Sequence, residues 1–247
     1  MNQFLDKLNA KWNKGKFVCV GLDQGNFEAN RKVIDATFNY ICAFKPNATF
    51  YTDSELAETV NYIKSNHPEI PIILDAKRGD IAHTNEAYAK IIFDTLGVDA
   101  VTVHPYLGKE SLQPFLDRTD KGILVLVKTS NPGAGEFQDL KIGDKPLYQV
   151  ITEHVVSWNK NGNCGVVVGA TYPEELAEVR IIVGDMPILV PGVGNQGGDL
   201  EKVLRNGLNA QKQGLIINSS RAISFAPNPK EATQNLDSQI REILANV

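Results

Sequence analysis

The chain of 247 residues is poor in the side chains that build redox, disulfide or metal centres. Its three cysteines, Cys19, Cys42 and Cys164, lie singly in apolar runs without C-x-x-C spacing. They read as buried reduced thiols, which fits a cytosolic compartment. The four histidines show no ligand spacing such as H-x-x-x-H. No apolar run approaches the roughly 20 residues that a membrane helix needs. Residues 1–16 are polar with scattered apolar positions, so they read as a short amphipathic helix packed on the domain rather than a signal peptide. Basic excess is absent too: the formal net charge is -4, with acids and bases interspersed. That argues against a nucleic-acid binder, which is usually basic, while leaving room for a local phosphate pocket. No long linker, low-complexity tract or clear repeat interrupts the chain. At this length roughly 70–75% of the unfolded surface can be buried, so a single soluble domain over 1–247 is expected, with no metal or disulfide needed for its core.

What is present is a succession of short, β-branched apolar runs. They cover Phe17 to Leu22, Ile41 to Phe44, Ile72 to Leu74, Ala100 to Val103, Ile123 to Val127, Gly165 to Val168, Ile188 to Val190 and Gly214 to Ile217. Helical stretches alternate with them. Thr52-Asp-Ser-Glu55 is a capping-box pattern opening a helix towards Asn66. Asn85 to Thr95 and Leu147 to Asn159 carry helical spacing, and Pro173-Glu-Glu opens a further helix with proline and acids in its first turn. Eight strand-helix alternations suit a single (β/α)8 barrel of the TIM type better than an open doubly wound sheet.

In such a barrel the residues just after each strand face the active site. The richest of these segments is Asp75-Ala-Lys77-Arg-Gly-Asp80-Ile-Ala-His-Thr84, which leaves the run Ile70-Pro-Ile-Ile-Leu74. Strand alternation puts Asp75 and Lys77 on one face. Carboxylates and an ammonium gathered at a strand mouth are costly unless paired or used, so the group reads either as an ion-pair cluster or as reactive machinery. Asp23 and Lys45 join it from the first two strands.

The last two strand ends have the opposite character. Gly194-Asn-Gln-Gly-Gly198 runs into a helix start at Asp199-Leu-Glu-Lys, where free N–H groups and the helix dipole favour an anion. Arg221 adds a bidentate donor and Ser220 a hydroxyl. A phosphate site of this kind is common on these two loops of a barrel. Gly192-Val-Gly194-Asn-Gln-Gly197 also matches G-x-G-x-x-G, but it follows the seventh strand, and the next strand ends in Asn218 rather than a ribose-binding acid. A dinucleotide site is therefore rejected. Ser130-Asn-Pro-Gly-Ala-Gly135 is glycine-punctuated and reads as a lid.

Five motifs occur here in the order found in the orotidine 5'-phosphate decarboxylase family: Ala43-Phe-Lys-Pro-Asn47, Asp75-Ala-Lys-Arg-Gly-Asp-Ile81 with Thr84, Val127-Lys-Thr-Ser-Asn-Pro-Gly133, Val190-Pro-Gly-Val-Gly-Asn-Gln-Gly-Gly198 and Asn218-Ser-Ser-Arg-Ala222. Over nearly its whole length the chain resembles that family, and most closely the bacterial-type branch with D-A-K-R-G-D. The resemblance implies conversion of orotidine 5'-monophosphate to UMP, with no metal and no organic cofactor. It makes Lys77 the proton donor to C6 and completes an alternating charge array with Lys45, Asp75 and Asp80. Asp23 and Lys45 match ribose contacts, Ser130 the pyrimidine contact, and Gln196 and Arg221 the phosphate contacts. Ile81, Thr84, Pro191, Gly197 and Ser220 complete the implied substrate-binding set. The resemblance further implies a homodimer in which Asp80 and Thr84 reach the partner's site.

Two positions depart from the pattern. Gln24 follows Asp23 where proline is frequent, and His104 precedes Pro105-Tyr106 where asparagine is expected. Since the implied mechanism needs no histidine base, His104 is assigned a structural hydrogen-bonding role. His67, His83 and His154 are expected to face solvent, and Trp12 and Trp158 to pack helix on sheet. Phe50-Tyr51 and Tyr106 suit the site rim or a dimer interface equally. The rival readings are a Mg2+-dependent sugar-phosphate aldolase or decarboxylase sharing D-x-K-x-x-D, disfavoured by the positive charge of Lys45 where such enzymes place an acid, and a silent nucleotide-binding barrel.

Overall fold

Because the apolar runs are continuous rather than alternating, each strand must be covered on both faces, which is the condition of a parallel sheet wrapped by helices. The computed structural model, which describes residues 2–193 and 198–246, has that arrangement. Its barrel strands are β1 (Val18–Leu22), β2 (Ile41–Pro46), β3 (Ile73–Arg78), β4 (Ala100–Val103), β5 (Gly122–Lys128), β6 (Cys164–Val168), β7 (Ile188–Pro191) and β8 (Leu215–Ser219). They pair in parallel in the order β2-β1-β8-β7-β6-β5-β4-β3. Bridges Phe44–Ile72 and Asn47–Asp75 join β2 to β3 and close the ring. The strands are buried almost throughout, and the three cysteines are free and buried among them. Burial pushes the Cys19 and Cys164 thiols up to about 12, so both stay protonated.

Local chemistry sets the helix ends. Thr52 caps the helix Asp53–Asn66 by accepting from the Glu55 amide. The capping box is only half formed, because the Glu55 carboxylate accepts instead from the Phe27 amide at 2.6 Å and ties two neighbouring helices together. Asp199 caps Leu200–Gly207, and Pro173 opens Pro173–Val183. The expected N-terminal helix spans Gln3–Trp12, and Trp12 closes the barrel floor by donating to the Leu215 carbonyl at 2.8 Å. No helix among the described residues is long and apolar enough to cross a membrane.

Two expectations about histidines need correction. His67 is half-buried at the end of its helix and stacks on Phe38, with ring centroids 4.3 Å apart. The His104 side chain takes part in no hydrogen bond among the described residues. Its ring packs over Gly79, and only its backbone N–H is bonded, to the Arg78 carbonyl at 2.8 Å.

Candidate active site

The C-terminal ends of the strands surround a cavity of about 500 Å³, lined by Asp23, Lys45, Asp75, Lys77, Ser130, Pro191, Ser220 and Arg221. That size suits a small ligand. Its apolar wall comes from Leu126, Val167 and Leu189.

Its charged face is a chain of ion pairs built on β2 and β3. Lys45 Nζ donates to Asp75 Oδ2 at 2.8 Å, and Lys77 Nζ donates to Asp75 Oδ1 at 2.6 Å. Lys45 is buried and Asp75 nearly so, whereas the Lys77 side chain is 52% exposed. Burial raises the Asp75 carboxyl, but Lys45 and Lys77 overcome it and hold the group well below the usual carboxylate range. Burial likewise opposes the Lys45 charge, and Asp75 outweighs it, so that ammonium titrates above its ordinary value. Asp23 behaves differently. Burial raises its carboxyl more than Lys45 and the Ser220 hydroxyl lower it, and its Oδ1 is buried with no hydrogen-bond partner among the described residues. A polar atom left so is prepared to meet a ligand donor.

The way Lys77 reaches Asp75 differs from simple strand alternation. β3 pairs with β4 through Leu74–Val101 and then Arg78–Val103, so residues 75–77 lie opposite Thr102 alone. Within this bulge Lys77 adopts φ +46°, a left-handed conformation uncommon for a side chain of its size. The kink, together with the two-residue separation, brings both side chains into the cavity.

The other half of the cavity is made by β1, β7 and β8. Ser220 sits where a Cβ on Gly21 would come within 1.8 Å of its Oγ, so only glycine on β1 admits it. Arg221 is exposed at the rim, at the start of the short helix Arg221–Ser224. Gln196 and Gly197, expected on the phosphate side, lie outside the described residues. Ser130 rests against Gly169, where an added Cβ would stand 2.7 Å from the serine Cβ and 2.9 Å from its backbone. The loop that it begins is stapled at its base: Gln138 accepts from the Thr129 amide at 2.9 Å and donates to its hydroxyl at 2.8 Å, and Lys128 pairs with Asp139. A short hairpin, Lys141–Ile142 with Lys145–Pro146, follows. Sequence reasoning passed over it, although Gly143-Asp144 is a two-residue turn signal.

Asp80, Ile81 and Thr84 do not line this chain's own cavity. Asp80 Oδ1 accepts from the Ile81 amide at 2.7 Å, Asn85 clamps the Asp80 backbone from both sides, and Ile81 is exposed. Residues missed from the sequence include Thr102 and Gln138, both lining the cavity, whereas Asn131 and Asn218 line it as strand-end residues expected to face the site. The Asn218 Oδ1 is buried and has no hydrogen-bond partner among the described residues.

The arrangement provides a fixed ammonium beside a fixed carboxylate, an apolar wall, and hydroxyl and guanidinium donors opposite. The family model for the orotidine 5'-phosphate decarboxylase / HUMPS family matches residues 16–236. The chain is 46% identical to the orotidine 5'-phosphate decarboxylase of Janthinobacterium sp. (strain Marseille), over 90% of each. It is 44% identical to that of Cupriavidus metallidurans, over 98% of this chain and 97% of the other. Among solved structures it superposes on Leishmania donovani OMP decarboxylase with a TM-score of 0.90 at 40% identity, over 98% of both chains. The UMP synthase of the same organism gives a TM-score of 0.92 at 41% identity, with 98% of this chain covering 57% of that longer one. An eight-stranded barrel whose sequence matches these relatives over most of its length, the chain belongs to the orotidine 5'-phosphate decarboxylase / HUMPS family.

Proposed function

We propose that this chain decarboxylates orotidine 5'-monophosphate to UMP and CO2, the last step of pyrimidine nucleotide synthesis. The observation that carries the reading is the Lys45–Asp75–Lys77 chain of ion pairs in a cavity that Ser220 and Arg221 share. Loss of CO2 leaves negative charge at C6 with no electron sink, so stabilisation must be electrostatic and prearranged. Lys77, the exposed member of the chain, is the proton donor to C6. Asp75 accepts from Lys77 and lies where the departing carboxylate would meet it. Asp23 and Lys45 take the ribose hydroxyls, Ser130 the pyrimidine, and Arg221 with Ser220, Gln196 and Gly197 the phosphate. Binding energy from the phosphate then holds the reacting end in place.

Asp80, Ile81 and Thr84 complete the site of a second copy, which accounts for their position outside this chain's own cavity; the protein is a homodimer in this reading. Buried free thiols support a cytoplasmic setting. Lys45 carries its positive charge beside Asp75, an arrangement opposed to a divalent cation there.

The test is spectrophotometric loss of orotidine 5'-monophosphate with and without EDTA. Conversion to UMP unaffected by the chelator is expected. No conversion by folded protein, or conversion abolished by EDTA, overturns the reading. For the shared site, mixing Lys77→Ala with Asp80→Ala subunits should restore part of the activity that each lacks alone. No recovery after verified subunit exchange contradicts it.

A further inference from the structure

Thr102 lies in the middle of β4 within an apolar run and is 1% exposed. Opposite it the β3 ladder is broken, with residues 75–77 facing this one position. A bulge of that kind leaves backbone N–H groups without ladder partners. Here the Thr102 hydroxyl takes their place: Oγ1 accepts from the Ala76 amide at 3.1 Å and from the Lys77 amide at 3.0 Å, and it donates to Asp75 Oδ1 at 3.0 Å. A hydroxyl has one proton and two acceptor positions, so all of its capacity is used. Although Thr102 borders the cavity, its hydroxyl has nothing left to offer a ligand.

We infer that Thr102 is a positioning residue for the reaction. Its hydroxyl holds the β3 bulge closed, keeps Lys77 in its left-handed conformation, and orients Asp75 against the two ammonium groups. The inference rests on the proposed roles of Lys77 and Asp75. Any β-branched residue would serve strand β4, but only one bearing a hydroxyl can satisfy two amides and a carboxylate at once. Valine keeps the shape and removes all three bonds; serine keeps the bonds and removes the methyl.

The experiment compares the wild type, Thr102→Val, Thr102→Ala and Thr102→Ser for kcat, for KM with orotidine 5'-monophosphate, and for UMP binding. Displacing a reacting group by about 1 Å costs on the order of 100-fold in rate, so Thr102→Val and Thr102→Ala should lose about that factor in kcat. KM and UMP affinity should stay within about threefold of wild type, since the groups facing the phosphate are untouched. Thr102→Ser should restore kcat to within about tenfold of wild type. The alanine variant removes the same hydroxyl without crowding, so poor folding of the valine variant leaves the question answerable. Hydrogen exchange at the Ala76 and Lys77 amides should be at least about tenfold faster in both hydroxyl-free variants. Full kcat without the hydroxyl, or a serine variant as damaged as the valine one, overturns the inference. Wild-type and Lys77→Ala turnover in the same assay tests the functional reading separately. Should that reading fail, unchanged amide exchange in the hydroxyl-free variants would still refute the role of Thr102 in the bulge, and faster exchange would still support it.

Discussion

The barrel buries a cation at each end and handles the two in opposite ways. At the floor, Arg180 of the helix Pro173–Val183 donates to the carbonyls of Gly207, Gly184, Met186 and Gly214 at 2.5–2.9 Å. Burial lowers its guanidinium to about 10, with only a weak counterbalance from Asp185. At the mouth, Lys45 faces the Asp75 carboxylate, and its titration moves upward instead. Neutral carbonyls take four of the five N–H donors of Arg180 in tying loops together, so its charge is spent on structure. A carboxylate shared between two lysines leaves Lys77 held yet exposed, with its proton available to a substrate. One end is tied up by neutral acceptors; the other, in the proposed reaction, acts because Lys77 remains exposed.

After the loss of Lys77 itself, Asp75→Asn should do the greatest harm, since it attacks the charged end at its hub. Loss of the carboxylate should lower kcat by about 10³-fold. It also strands the Lys45 ammonium, a loss of about 3 kcal/mol at neutral pH. The sign follows from the depressed folded titration of Asp75: its contribution is present above the unfolded value of about 3.9 and is lost as pH falls through the lower folded value. Urea unfolding should therefore show a wide gap between variant and wild type at pH 7 that narrows below about pH 4. A gap constant with pH would contradict the pairing.

Arg221→Ala should cost on the order of 100-fold in kcat/KM through weaker phosphate binding, with stability unchanged. Steady-state kinetics combined with inorganic phosphate inhibition would check it. Arg180→Met reverses that signature. Four carbonyls lose their donor, so unfolding should become easier by about 3 kcal/mol. In a chain of this length that is on the order of 10 °C in Tm, while kcat and KM of the remaining folded protein should match wild type. A catalytic defect in Arg180→Met would erase the distinction between floor and mouth. Gly169→Ala is the mildest change: the added methyl displaces Ser130, and KM should rise about tenfold with little loss of kcat.

The strands were legible because apolar, β-branched runs have one common use in a chain of this kind, and their ends fell within a few residues of the expected positions. Asp23, Lys45, Asp75, Lys77, Ser130, Ser220 and Arg221 were legible for a related reason: polar groups directly after such runs face the barrel mouth. The bulge in β3 was not. It depends on which residue of β4 stands opposite, a register that neither strand states alone. Thr102 therefore looked like an ordinary β-branched strand residue, and Lys77 like one step of a regular alternation. Arg180 was hidden similarly, since its acceptors lie up to 34 residues away in loops that only the closed barrel brings together. His104 was assigned a hydrogen bond that it does not make, because sequence gives its position but not the glycine surface beneath its ring.

The most direct test of the division between a reactive mouth and a structural floor is orotidine 5'-monophosphate turnover by Lys77→Ala at saturating substrate, with UMP binding measured on the same protein. Lys77 is the exposed end of the ion-pair chain, and its removal leaves Lys45–Asp75 and the groups facing the phosphate in place. Turnover should fall by at least about 10⁴-fold while UMP affinity stays within about threefold. Turnover near that of the wild type would contradict the assignment of Lys77 as proton donor and, with it, the account of the mouth as the reactive end.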